Sequence, residues 1–240
     1  MEFRIKSYVA DFRSRFGYNN SEPVNFVSLL NRLDLLTVFR PLSEDFSGLS
    51  IKNGENRFML INSDHSLGRQ NFTIGHELYH LYYDQHFIPH KCQTGLFPRR
   101  EVNERMADFF ASHLLLPEDG IIRLIPEAEL GKDLINLSTL LKIEQTYGSS
   151  RAALLTQLEK LGLMSKGFTE KYLKSVKSGA RQHGYSTELY EATPAKSILG
   201  TYGSLATKLF ESEQISESHY QELMISIGID VNEISTDEDD

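Results

Sequence analysis

Cysteine is nearly absent: Cys92 is the one cysteine in 240 residues. No internal disulfide can form, which fits a reducing compartment. Long apolar runs are missing too, since none approaches the roughly 18 residues that span a bilayer. The opening MEFRIKSYVADFRSRFGY lacks the basic segment and apolar stretch of a secretory signal. A soluble cytoplasmic protein is expected, with no membrane partner. There is no excess of positive charge either. The formal net charge is −8, so direct nucleic-acid binding is not the expected role. The locally basic stretch from Lys166 to Arg181 reads as a solvated linker or helix face. Repeats are absent, and compositional bias is confined to the acidic end, Thr236 to Asp240, which reads as a solvated terminus. What remains is ordinary globular composition in a chain long enough for one large domain, alone or with a small second one.

Apolar spacing predicts a helix over 2–17 on Phe3, Ile5, Val9, Phe12 and Phe16. A second is expected over about 24–34, opened by Pro23 and carrying Phe26, Leu29, Leu30 and Leu33. Three strand-like runs follow: Leu35–Phe39, Ser47–Ile51 and Arg57–Ile61, the last two divided by Asn53-Gly54, a hairpin signal. A small antiparallel sheet of about three strands is the simplest arrangement. The last run leads into the next helix and is expected to offer a sheet edge to an extended substrate. Helices are then expected over about 67–85, 101–115 (ending before Pro117), 134–146 and 150–161, with Ser149 or Ser150 capping the last. Between the first two lies a loop with Pro89 and Pro98. Glycines 162, 167 and 179 suggest a boundary near 165, after which the chain reads as mainly helical.

The chemistry is concentrated in GHELYHLYYDQH, Gly75 to His86. His76 and His80 are four apart, which on a helix separates them by about 40° and about 6 Å. Two imidazoles so placed can share one ion, and zinc suits imidazole and carboxylate. In HExxH sites the glutamate, here Glu77, is the general base. The same helix has an apolar side through Phe72, Leu78, Leu81 and Tyr82, so it is expected to pack rather than lie on the surface.

A third ligand is required. His86 follows His80 at the metzincin spacing, but Tyr83 stands where that pattern has glycine. On a continuing helix His86 points about 120° away from His80. His90 and Cys92 are further candidates from the following loop. Glu104 is favoured, with Asp108 four residues on as a hydrogen-bond partner for a ligand histidine's free N–H. Glu101 on the same face is a reserve. His113 falls on the opposite side of that helix, and His65, His183 and His219 have no motif around them. An oxyanion helper is sought among Tyr79, Tyr82, Tyr83, His183 and Tyr185, with none preferred.

These segments, in order, resemble the ImmA/IrrE family of metallo-endopeptidases. The resemblance rests on Val24–Asp34, Ser47-Gly48, Leu60–Asn62, Arg69–His80, Glu104–Pro117 as ExxADxFAxxLLLP, and Tyr147–Leu163, and covers about 20–165. It implies an α+β fold: a mostly helical zincin-like domain over 1–165 with a small sheet, and a helical C-terminal extension over 166–240. It implies Zn2+ held by His76, His80 and Glu104, with Glu77 as the base. Asp108 replaces a usual asparagine, Leu116 a methionine, and Tyr79 a common glycine, so that Tyr79 is expected to narrow the cleft.

The resemblance also implies a substrate: a helix-turn-helix repressor or an antitoxin. About 20 residues precede the matching region, too few for a fused DNA-binding domain, so a separately encoded partner is expected. The alternative is a non-catalytic zinc-binding module that sequesters its partner in toxin–antitoxin or mobile-element regulation. A weaker reading has 166–240 sense a signal or touch nucleic acid. The helix expected over Ser216–Ile227 reads more simply as packing.

Overall fold

The computed structural model describes residues 2–85, 102–193, 197–227 and 229. The chain runs α1 (Glu2–Arg15), α2 (Phe26–Arg32), β1 (Leu36–Arg40), β2 (Gly48–Asn53), β3 (Asn56–Asn62), α3 (Leu67–Tyr82) and α4 (Val102–Leu115). It continues through α5 (Glu118–Leu124), α6 (Leu137–Tyr147), α7 (Arg151–Lys160), α8 (Lys166–Thr169) and α9 (Val176–Gln182). β4 (Ser197–Leu199), α10 (Tyr202–Glu211) and α11 (Glu217–Ser226) complete it. The architecture is α+β, as expected. Side-chain caps account for several helix starts. Asn25 accepts from the Ser28 N–H, Asn136 from Thr139, Ser150 from Ala153 and Ser216 from His219.

The sheet differs in two ways from the expected antiparallel trio. It has four strands in the order β2-β3-β1-β4, and β1 runs parallel to β3. Asn62 explains the crossover. Its buried amide accepts from the Leu42 N–H and donates to the carbonyls of Leu42, Ser43 and Phe46. The link between β1 and β2 is thereby fastened at the end of β3, and the chain returns on the far side. The fourth strand comes from the C-terminal part of the chain and pairs antiparallel with β1. One consequence corrects the expected substrate edge. β3 is bonded on both sides, so Arg57–Ile61 presents no edge, and the outer strand beside α3 is β2.

α3 is the central helix. It packs on the sheet through β2 and β3, and most extensively on α4. The two helices approach closely at Gly75, where a Cβ would stand 3.1 Å from the Ala111 Cα. Around this pair the core gathers Ile74, Leu78, Leu81, Phe110, Leu114 and Leu115, with Phe12 and Val9 of α1 covering the other side of α4. No helix among the described residues is long and apolar enough to cross a membrane.

Candidate metal centre

α3 carries His76, Glu77 and His80, all nearly fully buried at 0%, 2% and 1% exposure, and α4 brings Glu104 to them at 2%. The His76 and His80 Nε2 atoms are 3.2 Å apart. Each is also 3.2 Å from one Glu104 oxygen. One donor atom from each of the three residues lies within 4.8 Å of the other two. The four-residue spacing within α3 and the tight Gly75–Ala111 crossing of α3 with α4 together produce this convergence.

The opposite ring nitrogens define the tautomers. His76 Nδ1 is 3.0 Å from Asp108 Oδ1, and His80 Nδ1 is 3.1 Å from Asp84 Oδ2. A hydrogen on each Nδ1 satisfies these carboxylates and leaves both Nε2 lone pairs facing inward. Two imidazole lone pairs and a carboxylate oxygen then aim at one buried point. That convergence of acceptors is unfavourable without a cation and suited to one, so the residues fit a metal ion. Burial by itself would raise the Glu104 pKa. The hydrogen bonds and positive charge of His76 and His80, when their Nε2 atoms carry protons, outweigh it and hold the carboxylate far below its usual range, and a bound cation takes the place of those protons.

Glu77 stands beside the ligands in a different environment. The Ser50 hydroxyl of β2 donates to its Oε2 at 2.6 Å, while Oε1 is buried and has no hydrogen-bond partner among the described residues.

The structure brings His76, His80 and Glu104 together, with Asp108 against His76. His86, His90, Cys92 and Glu101 lie outside the described residues, as do the proline loop and the acidic end. His113 is engaged elsewhere: Nδ1 faces the Phe109 carbonyl at 2.8 Å and Nε2 is 3.4 Å from Glu118. Three of the four tyrosines suggested as oxyanion helpers, Tyr79, Tyr82 and Tyr83, are occupied in packing. The Tyr79 hydroxyl meets Met106 Sδ, and burial pushes its pKa to about 12. Tyr83 donates to the Tyr8 carbonyl and faces Asp11. Tyr82 is sandwiched edge-on by Phe12 and lies under the Arg57 guanidinium. Tyr79 is 2% exposed and, with Tyr8, Tyr83, Asp84 and Met106, lines a small pocket. His183 holds its own helix end, with Nδ1 on the Gly179 carbonyl.

Two contributors escaped the sequence reading, Asp84 and Ser50. Asp84 had a signal, since it follows His80 by four residues. Ser50 had none, because nothing in the sequence says that β2 lies against α3.

A family model described as an IrrE N-terminal-like domain, of the peptidase M78 family, matches residues 30–159. A search among curated proteins finds no match. The matched region includes His76, His80 and Glu104, Glu77, Ser50 and both histidine-bound aspartates.

Proposed function

The chain belongs to the IrrE N-terminal-like family of metallopeptidases, and from that premise we propose that it is a zinc-dependent endopeptidase of narrow specificity. Its substrate is a separately encoded protein, a helix-turn-helix repressor or an antitoxin. The observation that carries the enzymatic part is the buried convergence of His76, His80 and Glu104 beside a second carboxylate, Glu77, with one bare oxygen. His76, His80 and Glu104 hold the zinc. A zinc ion held there would acidify a bound water and polarise the scissile carbonyl.

Glu77 does the proton work. Its Oε1 takes a proton from the attacking water as the water oxygen bonds to the carbonyl carbon. The same oxygen then delivers that proton to the amine nitrogen as the C–N bond breaks. Asp84 and Asp108 keep the two imidazoles in the ligating tautomer. The outer strand β2 offers backbone groups to an extended substrate segment, which supports cleavage of an unfolded or flexible stretch of the partner.

The test is co-expression with the repressor-like product of a neighbouring gene. Zinc-loaded wild type cuts the partner at one site, and Glu77→Gln retains one zinc per chain without cutting. Cleavage surviving in Glu77→Gln would refute the mechanism. An intact partner bound by zinc-loaded wild type would favour sequestration instead.

A further inference from the structure

Strand β2 turns two residues toward α3, Gly48 and Ser50, which share one face because strand side chains alternate. Both are shaped around Glu77. Ser50 is 1% exposed, and its hydroxyl donates to Glu77 Oε2 at 2.6 Å, the length of a hydrogen bond to an ionised oxygen. A Cβ on Gly48 would stand 2.6 Å from Thr73 Cγ2 and 3.2 Å from Glu77 Oε1. The strand thus fastens one carboxylate oxygen and leaves room for the other. The fastening is itself fixed, because Ser50 pairs with Met59 and Gly48 with Ile61 of β3 in antiparallel register.

A buried carboxylate with an orphaned oxygen is costly, and a glutamate side chain free to rotate would relieve that cost by turning Oε1 toward another donor. We propose that Ser50 is the positioning residue of the site: its hydroxyl locks Glu77 in the rotamer that keeps Oε1 bare for the reacting water, in the space that Gly48 leaves open. The inference rests on Glu77 being the base of a peptidase, as argued above. A purely structural Ser50, present only to satisfy a buried carboxylate, makes different predictions. Its loss lowers stability and leaves turnover per folded molecule unchanged.

The experiment compares zinc-loaded wild type, Ser50→Ala and Ser50→Thr on the peptide that the wild type cuts best in a proteome-derived peptide library. Ser50→Ala is expected to lose about 10- to 100-fold in kcat, with KM and zinc content within about twofold of wild type, because a small misplacement of a reacting group costs this much. Ser50→Thr keeps the hydroxyl and is expected to recover most of the loss. Wild-type kcat in Ser50→Ala, with only a lowered melting temperature, overturns the proposal.

Crystal structures of wild type and Ser50→Ala give a readout independent of turnover. Glu77 is expected to leave its wild-type rotamer in the variant, and an unmoved Glu77 overturns the positioning role. Should the wild type cut neither a library peptide nor the co-expressed partner while Glu77 turns in Ser50→Ala, the peptidase reading fails and Ser50 still orients Glu77.

Discussion

Asp84 Oδ2 lies 3.1 Å from His80 Nδ1, and Asn103 of α4 donates to both Asp84 oxygens at 3.3 and 3.4 Å. Asp84 therefore does for His80 what Asp108 does for His76, but in a drier place. The Asp84 side chain is 6% exposed and that of Asp108 27%. A carboxylate that orients a ligand imidazole contributes about 10- to 100-fold to metal affinity, and the contribution grows as the local dielectric falls. Asp84→Ala is expected to weaken zinc binding toward the upper end of that range, and Asp108→Ala toward the lower. Competition with a chromophoric chelator measures both. A larger loss from Asp108→Ala would show that burial does not set the order.

His65 makes the acid side of the stability profile testable. Its Nε2 faces the Glu44 carbonyl at 3.0 Å and so carries the hydrogen, while the buried Nδ1 has no partner among the described residues. Burial holds its pKa below the ordinary 6.5, against a smaller opposing effect of the Glu44 carbonyl. The folded state thus resists a proton that the unfolded chain accepts. The contribution is complete above the unfolded pKa and is lost as pH falls toward the folded one. Melting temperatures between about pH 7.5 and about pH 5 should fall less steeply in His65→Gln than in wild type. Parallel profiles would remove His65 from the account.

How much of the site was legible follows from how local its parts are. His76, His80, Glu104 and Asp108 sit on two helices, where a fixed 3.6-residue repeat turns spacing into geometry. The end of α3 was less legible. The predicted helix ran to residue 85, whereas Tyr83 leaves helical geometry, and the Tyr83 and Asp84 N–H groups both bond back to the Tyr79 carbonyl. That ending turns Asp84 toward His80. The sheet was least legible, because strand order depends on distant contacts. Asn62 reaches back twenty residues to fasten the β1–β2 link, and β4 arrives from residue 197. Without the order, neither the outer position of β2 nor the Ser50–Glu77 bond follows from the sequence.

The segment after residue 165 contributes to the stability of what precedes it. Arg151 donates from Nε and Nη2 to the Glu144 carboxylate, both residues being buried. Two groups from the later segment complete the network. The Tyr172 carbonyl accepts from Arg151 Nη1 at 3.0 Å, and the Tyr190 hydroxyl donates to Glu144 Oε2 at 2.7 Å. Deleting 166–240 removes both, and uncovers β1 by taking away β4. The truncated chain is expected to melt well below the full chain and to aggregate. Arg151→Met in the full chain is expected to cost about 3–5 kcal/mol by stranding Glu144, and Arg151→Met with Glu144→Leu much less. Urea unfolding of the full chain and these three variants decides. A truncated chain as stable as the full one would show that the later segment is only docked.

Gly75 ties packing to ligand geometry. A Cβ there would stand 3.1 Å from the Ala111 Cα and 3.3 Å from its Cβ, so Gly75→Ala has to move α3 and α4 apart by a few tenths of an ångström. Two effects on stability oppose each other. Alanine favours the helix by about 1 kcal/mol over glycine, and overpacking costs about 1–3 kcal/mol. The net loss is expected to stay below about 2 kcal/mol by urea unfolding of the zinc-free protein. Zinc binding has no such compensation. His76 follows Gly75 directly on α3, and Glu104 sits two turns before Ala111 on α4, so widening the crossing separates ligands from the two helices. Affinity is expected to fall about tenfold, equivalent to about 1.4 kcal/mol, with Gly75→Val losing more. Unchanged zinc affinity alongside lost stability would mean that the helices relax elsewhere and that the crossing does not set the ligand spacing.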